Sequence, residues 1–273
     1  MTYNTLNKTT MIANKYKILE KLSQGSFGSI YKAENIRTME YVAIKIELKT
    51  NCCSSLKNEA KIYQYIGKQN GFPQLKWFGT EEKYNYFVVD LLGCSLDKMV
   101  AKYKGFSLKI TVELGIQMIT RIQLLHEKHL LHRDIKPSNF LFGLGTQTNK
   151  LYLVDFGFAK RYNHNGIHII EKKINNLIGS PNFVSINVHN LTEPSRRDDL
   201  ESVIYIIMYM LYGTLDWFSK PLQEMVGLKE QLTNKIGLPP FIQSMLNYVR
   251  QLCFQEKPDY DYMKQLLENA ITN

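Results

Sequence analysis

The stretch HRDIKPSNF, His132 to Phe140, decides how this chain is read. It places a carboxylate, an amine and an amide on one short loop: Asp134, Lys136 and, five residues after the aspartate, Asn139. Sixteen residues beyond Asn139, LVDFG supplies a second carboxylate, Asp155. Phosphoryl transfer requires such a set. A carboxylate orients the attacking hydroxyl, an amine neutralises charge on the moving phosphate, and amide and carboxylate oxygens hold divalent metal. D-x-K-x-x-N with D-F-G at this distance is hard to obtain by chance, so an ordinary turn is a poor account of the loop.

Two upstream features extend the set. Ser23-Gln24-Gly25-Ser26-Phe27-Gly28 lies between two strand-like runs, YKILEKL and SIYKAE. Gly25 lets backbone amides approach phosphates, and Gly28 eases the turn. A glycine turn between strands is as often structural, so this signal is weak by itself. No G-K-[ST] follows, which excludes a Walker loop, and a strand rather than a helix follows, which argues against a dinucleotide site. Lys45 sits in VAIK on a third strand. Alternation puts Ala43 and Lys45 on one face, where Ala43 offers a flat surface to an adenine edge and Lys45 reaches the α- and β-phosphates. Glu59, on the next helix, is the natural carboxylate to hold it; the bland alternative is a solvated Lys and Glu. His132 reads as a packed support rather than a base or zinc ligand, since no Cys or second His lies at zinc spacing. Arg133 is expected to pair with a polar group of the loop after DFG.

The composition suits a soluble globular protein: 273 residues, 44% apolar and 22% charged. That length supports one large domain or two smaller lobes. Four cysteines, none in a C-x-x-C pair, point to a reducing compartment, hence cytoplasm and/or nucleus. The opening MTYNTLNKTTMIANKY has no apolar core of signal-peptide length. The longest apolar run, Val203 to Tyr212, is too short to span a bilayer and reads as a buried helix closed by Gly213. The formal charge is +9. Basic residues are interleaved with acids, without zinc-finger spacing or an RNA-binding aromatic pattern, so no dedicated nucleic-acid binding and no membrane partner are expected. The charge favours acidic peptides and nucleotide phosphates.

The periodicity predicts an α+β chain. Strands over 16–48, a helix over 55–66 and strands LKWFGT and YNYFVVDLL make a small antiparallel sheet with one main helix. Helices over 110–129, 196–212, 222–236 and 239–254 and a last one in PDYDYMKQLLENAI follow a short hairpin, NFLF with LYLVDF. The expected division is a flexible N-terminus over 1–15, an N-terminal lobe over 16–89, a hinge over 90–96, a mostly helical C-terminal lobe over 97–270 and an end at 271–273. A ligand cleft is expected where the halves meet.

These motifs together resemble the eukaryotic protein kinase superfamily. SFGSIY at 26–31, DLLGCSLD at 90–97, HRDIKPSNFLFGLG at 132–145, SINVH at 185–189, SRRDDLES at 195–202 and QEKPDYDYMKQLL at 255–267 are similar to the casein kinase 1 family. The resemblance runs from about residue 14 to 270. It implies a two-lobed serine/threonine protein kinase, a monomer, using ATP and Mg²⁺ on protein substrates. By the same resemblance Asp134, Lys136, Lys45 and Glu59 are catalytic, and Asn139 and Asp155 bind metal. The nucleotide pocket is drawn from Leu22, Ser23, Gly25, Ser26, Phe27, Gly28, Ile30, Ala43, Lys45, Val89, Asp90, Leu91, Leu92 and Leu141, with Val89 as gatekeeper and the hinge acting chiefly through the Leu92 backbone. Asp199 is expected to brace the HRD backbone. Activity without activation-loop phosphorylation and substrates with acidic or phosphorylated residues upstream are implied as well.

The chain departs from that family at several places. Ser23 replaces a glycine, and Ser138 stands where aspartate is usual. Asn182 and Asn175 stand where arginine and lysine help bind a priming phosphate. Losing both predicts weaker dependence on primed substrates, with Lys172, Lys173, Arg196 and Arg197 as partial compensation. A kinase-fold module without catalysis is the alternative; every chemical residue is kept, which argues against it. A small-molecule kinase is a third reading, which HRDIKPSN and the intact region through SRRDDLES disfavour.

Overall fold

A computed structural model describes residues 10–25, 28–49, 55–81 and 83–272. The chain forms two compact units. The first takes the described residues up to Gly93 with Gly143–Thr148 and Asp155–Gly157. The second takes the remainder.

The first unit is built on one antiparallel sheet. Its strands are β1 (Met11–Ile12), β2 (Tyr16–Gly25), β3 (Gly28–Asn35), β4 (Glu40–Leu48), β5 (Leu75–Glu81) and β6 (Tyr84–Asp90), in the order β1-β2-β3-β4-β6-β5. Strand alternation sorts the faces. Val42, Ile44 and Ile46 join Ile18, Tyr31 and Val88 in one apolar core, while Ala43 and Lys45 point to the other face and stay half-buried. The β2–β3 hairpin is pinned to β4 by Gly28. Its φ is +134°, and a Cβ there would lie 2.1 Å from the Ile46 carbonyl oxygen, so only glycine fits. The helix α1 (Ser55–Ile66) buries Leu56, Glu59, Ala60, Tyr63 and Ile66 and packs on β5 and β6.

The N-terminal edge differs from expectation. Residues 10–15 belong to the fold: β1 pairs with β2, and Ile12 is fully buried in the sheet core. The apolar pair at 11–12 outweighs its polar surroundings once β2 offers a free edge.

The second unit is mostly helical. In chain order it holds α2 (Leu96–Tyr103), α3 (Leu108–Glu127), β7 (Leu130–Leu131), β8 (Phe140–Phe142), β9 (Leu151–Leu153), β10 (Lys160–Arg161), β11 (Asn163–His164) and β12 (Ile167–His168), then α4 (Ile186–His189), α5 (Arg196–Tyr212), α6 (Leu222–Glu230), α7 (Pro240–Gln251) and α8 (Tyr260–Thr272). β7 pairs with β10, β8 with β9 and β11 with β12. α5 is the centre. It is buried on nearly all sides, with α3 and α7 packed against it. Its N-terminus is capped by Asp198, whose Oδ2 accepts the Ser195 N–H at 2.7 Å. Gly213, at φ +72°, ends it in the left-handed conformation. No helix among the described residues is long and apolar enough to cross a membrane.

Candidate active site

Within the first unit the sheet presents one half-buried face to chemistry. Ile30 lies opposite Lys45, and Ala43 opposite Val89, so all four share the face away from the apolar core. Lys45 donates to Glu59 Oε2 at 2.7 Å and reaches Asp155 Oδ1 at 3.3 Å. Burial pulls against the charge on this ammonium, but Glu59 and Asp155 outweigh it and hold the pKa above the ordinary lysine value. Asp155 has a φ of +65°, a strained conformation for a non-glycine residue. Its N–H donates to the Tyr63 hydroxyl at 3.3 Å, and Phe156 packs edge-on against the Tyr63 ring at 4.8 Å. Tyr63 thus orients the DFG turn, a role its place in an amphipathic helix did not reveal.

Leu22 and Ser23 are exposed on β2, and Gly25 pairs with Gly28 across the hairpin. Ser26 and Phe27 lie outside the described residues. Asp90 is committed elsewhere: its Oδ2 accepts the Gln74 N–H at 2.7 Å, and Lys76 lies 3.0 Å from its Oδ1. Leu91 and Leu92 follow it, half-buried, as does Leu141 on β8.

Within the second unit, Asp134, Lys136 and Asn139 meet on the loop between β7 and β8. Asp134 is 3% exposed, and both its oxygens are engaged: Oδ1 accepts from the Ser180 hydroxyl at 2.8 Å, Oδ2 from Lys136 at 2.6 Å. Asn139 spends its amide nitrogen on the Asp134 carbonyl at 2.8 Å, which directs its amide oxygen away from that bond. Ser180 touches the key carboxylate from 46 residues away, and nothing in its local sequence marks it.

Asp199 fastens this loop from α5. Its Oδ2 accepts the His132 N–H at 2.8 Å and its Oδ1 the Arg133 N–H at 2.9 Å, the bracing that the family resemblance implied. His132 is fully buried, with Nε2 3.1 Å from the Val154 carbonyl, as a packed support should be. Arg133 donates to the Phe158 carbonyl at 2.7 Å, in the loop after DFG as expected, and faces Glu193 at 3.6 Å.

The two proposed metal-binding residues, Asn139 and Asp155, offer amide and carboxylate oxygens, the hard donors that suit a small divalent cation. A pocket of about 580 Å³ in the second unit lies beside Lys136 and Ser180. A family model for the protein kinase domain matches residues 16–270. The chain belongs to the protein kinase family. It is therefore a phosphotransferase that uses ATP and a divalent metal, on the two-lobed kinase fold.

One expectation about this kinase needs correction. Arg196 and Arg197 are not free to bind a phosphate. Arg196 donates to the Gln255 carbonyl and to the Tyr162 hydroxyl, and its guanidinium stacks on the Tyr162 ring. Arg197 donates to the Leu252 carbonyl at 2.7 Å and pairs with Glu171 at 3.0 Å. Both arginines anchor the start of α5 instead.

Proposed function

We propose that this kinase transfers the ATP γ-phosphoryl to serine or threonine hydroxyls of proteins, with Mg²⁺ as its metal, in the manner of the casein kinase 1 family. The observation that carries the reading is the Asp134 carboxylate, held between Ser180 and Lys136. It is poised to orient a hydroxyl, with an ammonium beside it to neutralise charge on the transferred group. Lys136 in D-x-K fits the serine/threonine branch. Lys45, paired with Glu59, is suited to the α- and β-phosphates, and Asn139 and Asp155 to the metal.

Acidic protein substrates fit the +9 formal charge and the exposed Lys172, whereas Lys173 already donates to the Asn190 carbonyl at 2.9 Å. With Arg196 and Arg197 engaged, and asparagine at 175 and 182, dependence on a priming phosphate is weak. Activity without activation-loop phosphorylation is favoured by Glu193, which is buried and already holds Lys160 at 2.7 Å and Arg133 at 3.6 Å. A carboxylate of the chain thereby occupies the cationic groups that a phosphate would otherwise order. The protein acts as a monomer in cytoplasm or nucleus.

The test is transfer of radiolabel from ATP to casein and to a peptide library with Mg²⁺, beside Asp134→Asn. Label on serine and threonine that Asp134→Asn abolishes is the expected result. Equal label from both proteins rejects catalysis at this site.

A further inference from the structure

Lys229, on α6, stands outside the phosphoryl-transfer set, yet it is fully buried. Lysine almost never reaches that state unpaired. Its Nζ donates to the carbonyl oxygens of Pro181 at 2.9 Å and Val184 at 2.8 Å, and lies 3.0 Å from His189 Nε2. Three acceptors thus serve the three N–H groups of an ammonium. The charge also sits 4.7 Å from the Tyr205 ring centroid and 5.5 Å from that of Trp217. Trp217 in turn donates from Nε1 to the Asn182 carbonyl at 2.8 Å. Two buried side chains therefore hold the carbonyls of residues 181, 182 and 184. That turn closes on the Ser180 carbonyl, which accepts from Phe183 and Val184, and the Ser180 hydroxyl binds Asp134. Ser180 to Phe183 also line the pocket beside Lys136.

We propose that Lys229 is a positioning residue for the phosphoacceptor: it clamps the 180–184 turn, which walls the substrate pocket and carries, on Ser180, the hydroxyl that orients Asp134. The inference rests on the kinase reading of Asp134. The groups facing Lys229 come from three elements. His189 belongs to α4, Tyr205 and Glu201 to α5, and Arg250 to α7; Arg250 donates to the Lys229 carbonyl at 2.8 Å and to Glu201 at 3.2 Å. Burial pulls the Lys229 ammonium down to about 7, with Glu201 opposing and Arg250 adding to the shift. Burial and the Lys229 charge push His189 down to about 4, so its ring is neutral and offers a lone pair. Burial raises Tyr205, and Arg250 is raised despite its burial because Glu201 faces it. Near neutral pH Lys229 passes from three charged donors to two neutral ones, and the clamp weakens as pH rises.

The test is steady-state kinetics of wild type, Lys229→Met, Lys229→Arg and Trp217→Phe. The substrate is an unphosphorylated peptide without His or Cys, assayed from about pH 6.5 to 8.5. Lys229→Met raises peptide KM about tenfold or more while ATP KM stays within about twofold, and Lys229→Arg, which keeps the charge, recovers most of the loss. Wild-type peptide KM climbs about threefold across the pH range, and the Lys229→Arg profile is flat. Trp217→Phe keeps an aromatic face under the ammonium but loses one donor; it raises peptide KM about threefold and decides the matter if Lys229→Met does not fold. Peptide and ATP KM moving together, or neither moving in a folded variant, overturns the clamp. If wild type transfers no phosphate at all, the kinase reading itself fails. The clamp is then read from hydrogen exchange at the amides of Phe183 and Val184. The variants must lower their protection about tenfold, and unchanged protection overturns the clamp.

Discussion

Replacing Asp199 by asparagine tests whether the catalytic loop is held from the helix beneath it. Asp199 is 2% exposed and accepts three hydrogen bonds, from His126 Nε2 at 3.0 Å and from the N–H groups of His132 and Arg133. Burial alone would raise its pKa, but His126 and the loop N–H groups outweigh burial and hold it below the ordinary value. Burial lowers the His126 pKa, so the ring is neutral: Nε2 donates to Asp199, and Nδ1 accepts from the Tyr260 hydroxyl at 2.7 Å. Asparagine has the same shape but turns an NH₂ toward an N–H donor. Bonds to a charged acceptor are worth about 1.5–3 kcal/mol each, so losing the better part of two costs about 4 kcal/mol. That is a large share of a net stability of about 5–15 kcal/mol. At about 2 °C per kcal/mol for a chain of this size, Tm falls by about 8 °C. Arg133, whose φ of +66° these bonds maintain, is free to relax, and Asp134 moves with it. A misplaced carboxylate lowers kcat about 100-fold. The sign of the pH effect follows from the lowered pKa. The contribution of Asp199 is present above the ordinary carboxylate value and disappears as pH falls through the folded value, so the Tm gap between the proteins narrows in acid. Scanning calorimetry and kcat at saturating ATP measure both effects. A variant within about 2 °C and twofold of wild type would refute the argument, because three short bonds would then carry little.

Lys45→Met removes the ammonium between Glu59 and Asp155; kcat/KM is expected to fall about 100-fold or more, with loss of the nucleotide-induced thermal shift. Glu193→Gln leaves Lys160 and Arg133 facing an amide, costs about 3 kcal/mol of stability and lowers kcat about tenfold; unchanged thermal unfolding would contradict that role. Asn182→Arg places a cation where the casein kinase 1 resemblance puts an arginine for a priming phosphate. The ratio of kcat/KM for matched phosphorylated and unphosphorylated peptides is expected to rise about tenfold from a wild-type value below about 100. Gly213→Ala places a Cβ 2.6 Å from the Lys104 carbonyl oxygen at a left-handed residue; a loss of about 2 kcal/mol, read from denaturant unfolding, is expected with kcat unchanged.

Much of the fold was legible where apolar spacing and punctuation agree. α1 and α5 fall on the expected ranges, 55–66 and 196–212, because each couples a clear apolar pattern to a definite stop. α2 follows directly on the expected hinge and was not among the predicted helices. It buries only Leu96 and Val100, too few positions to show a period. α4, at Ile186–His189, is a single turn set by the Ser185 hydroxyl, which accepts the Val188 N–H, and not by an apolar face. β1 escaped for a related reason: two residues have no periodicity, and their burial depends on a neighbouring strand.

The candidate site divides along the same line. Asp134, Lys136 and Asn139 were legible because their chemistry is packed into six residues of chain. Ser180 reaches Asp134 from 46 residues away, and Lys229 reaches Pro181 from 48. In LQEMVGLKE a lysine looks like a solvated helix residue, since a hydrophobic pattern reports which face is apolar. It does not report that a cation can lie on that face when carbonyls of another segment await it. Asp199 was marked by the family resemblance and not by its own surroundings, since it is one of two adjacent aspartates at a helix start where either would suit the helix dipole. Their neighbours separate them. Asp198 takes the cap and, pushed up to about 6 by burial, serves the helix, while Asp199 is held ionised by donors from the loop. The reacting atoms of this kinase therefore stand out in its sequence, whereas the atoms that orient them sit in α1, α3, α5 and α6 and acquire their roles only through packing.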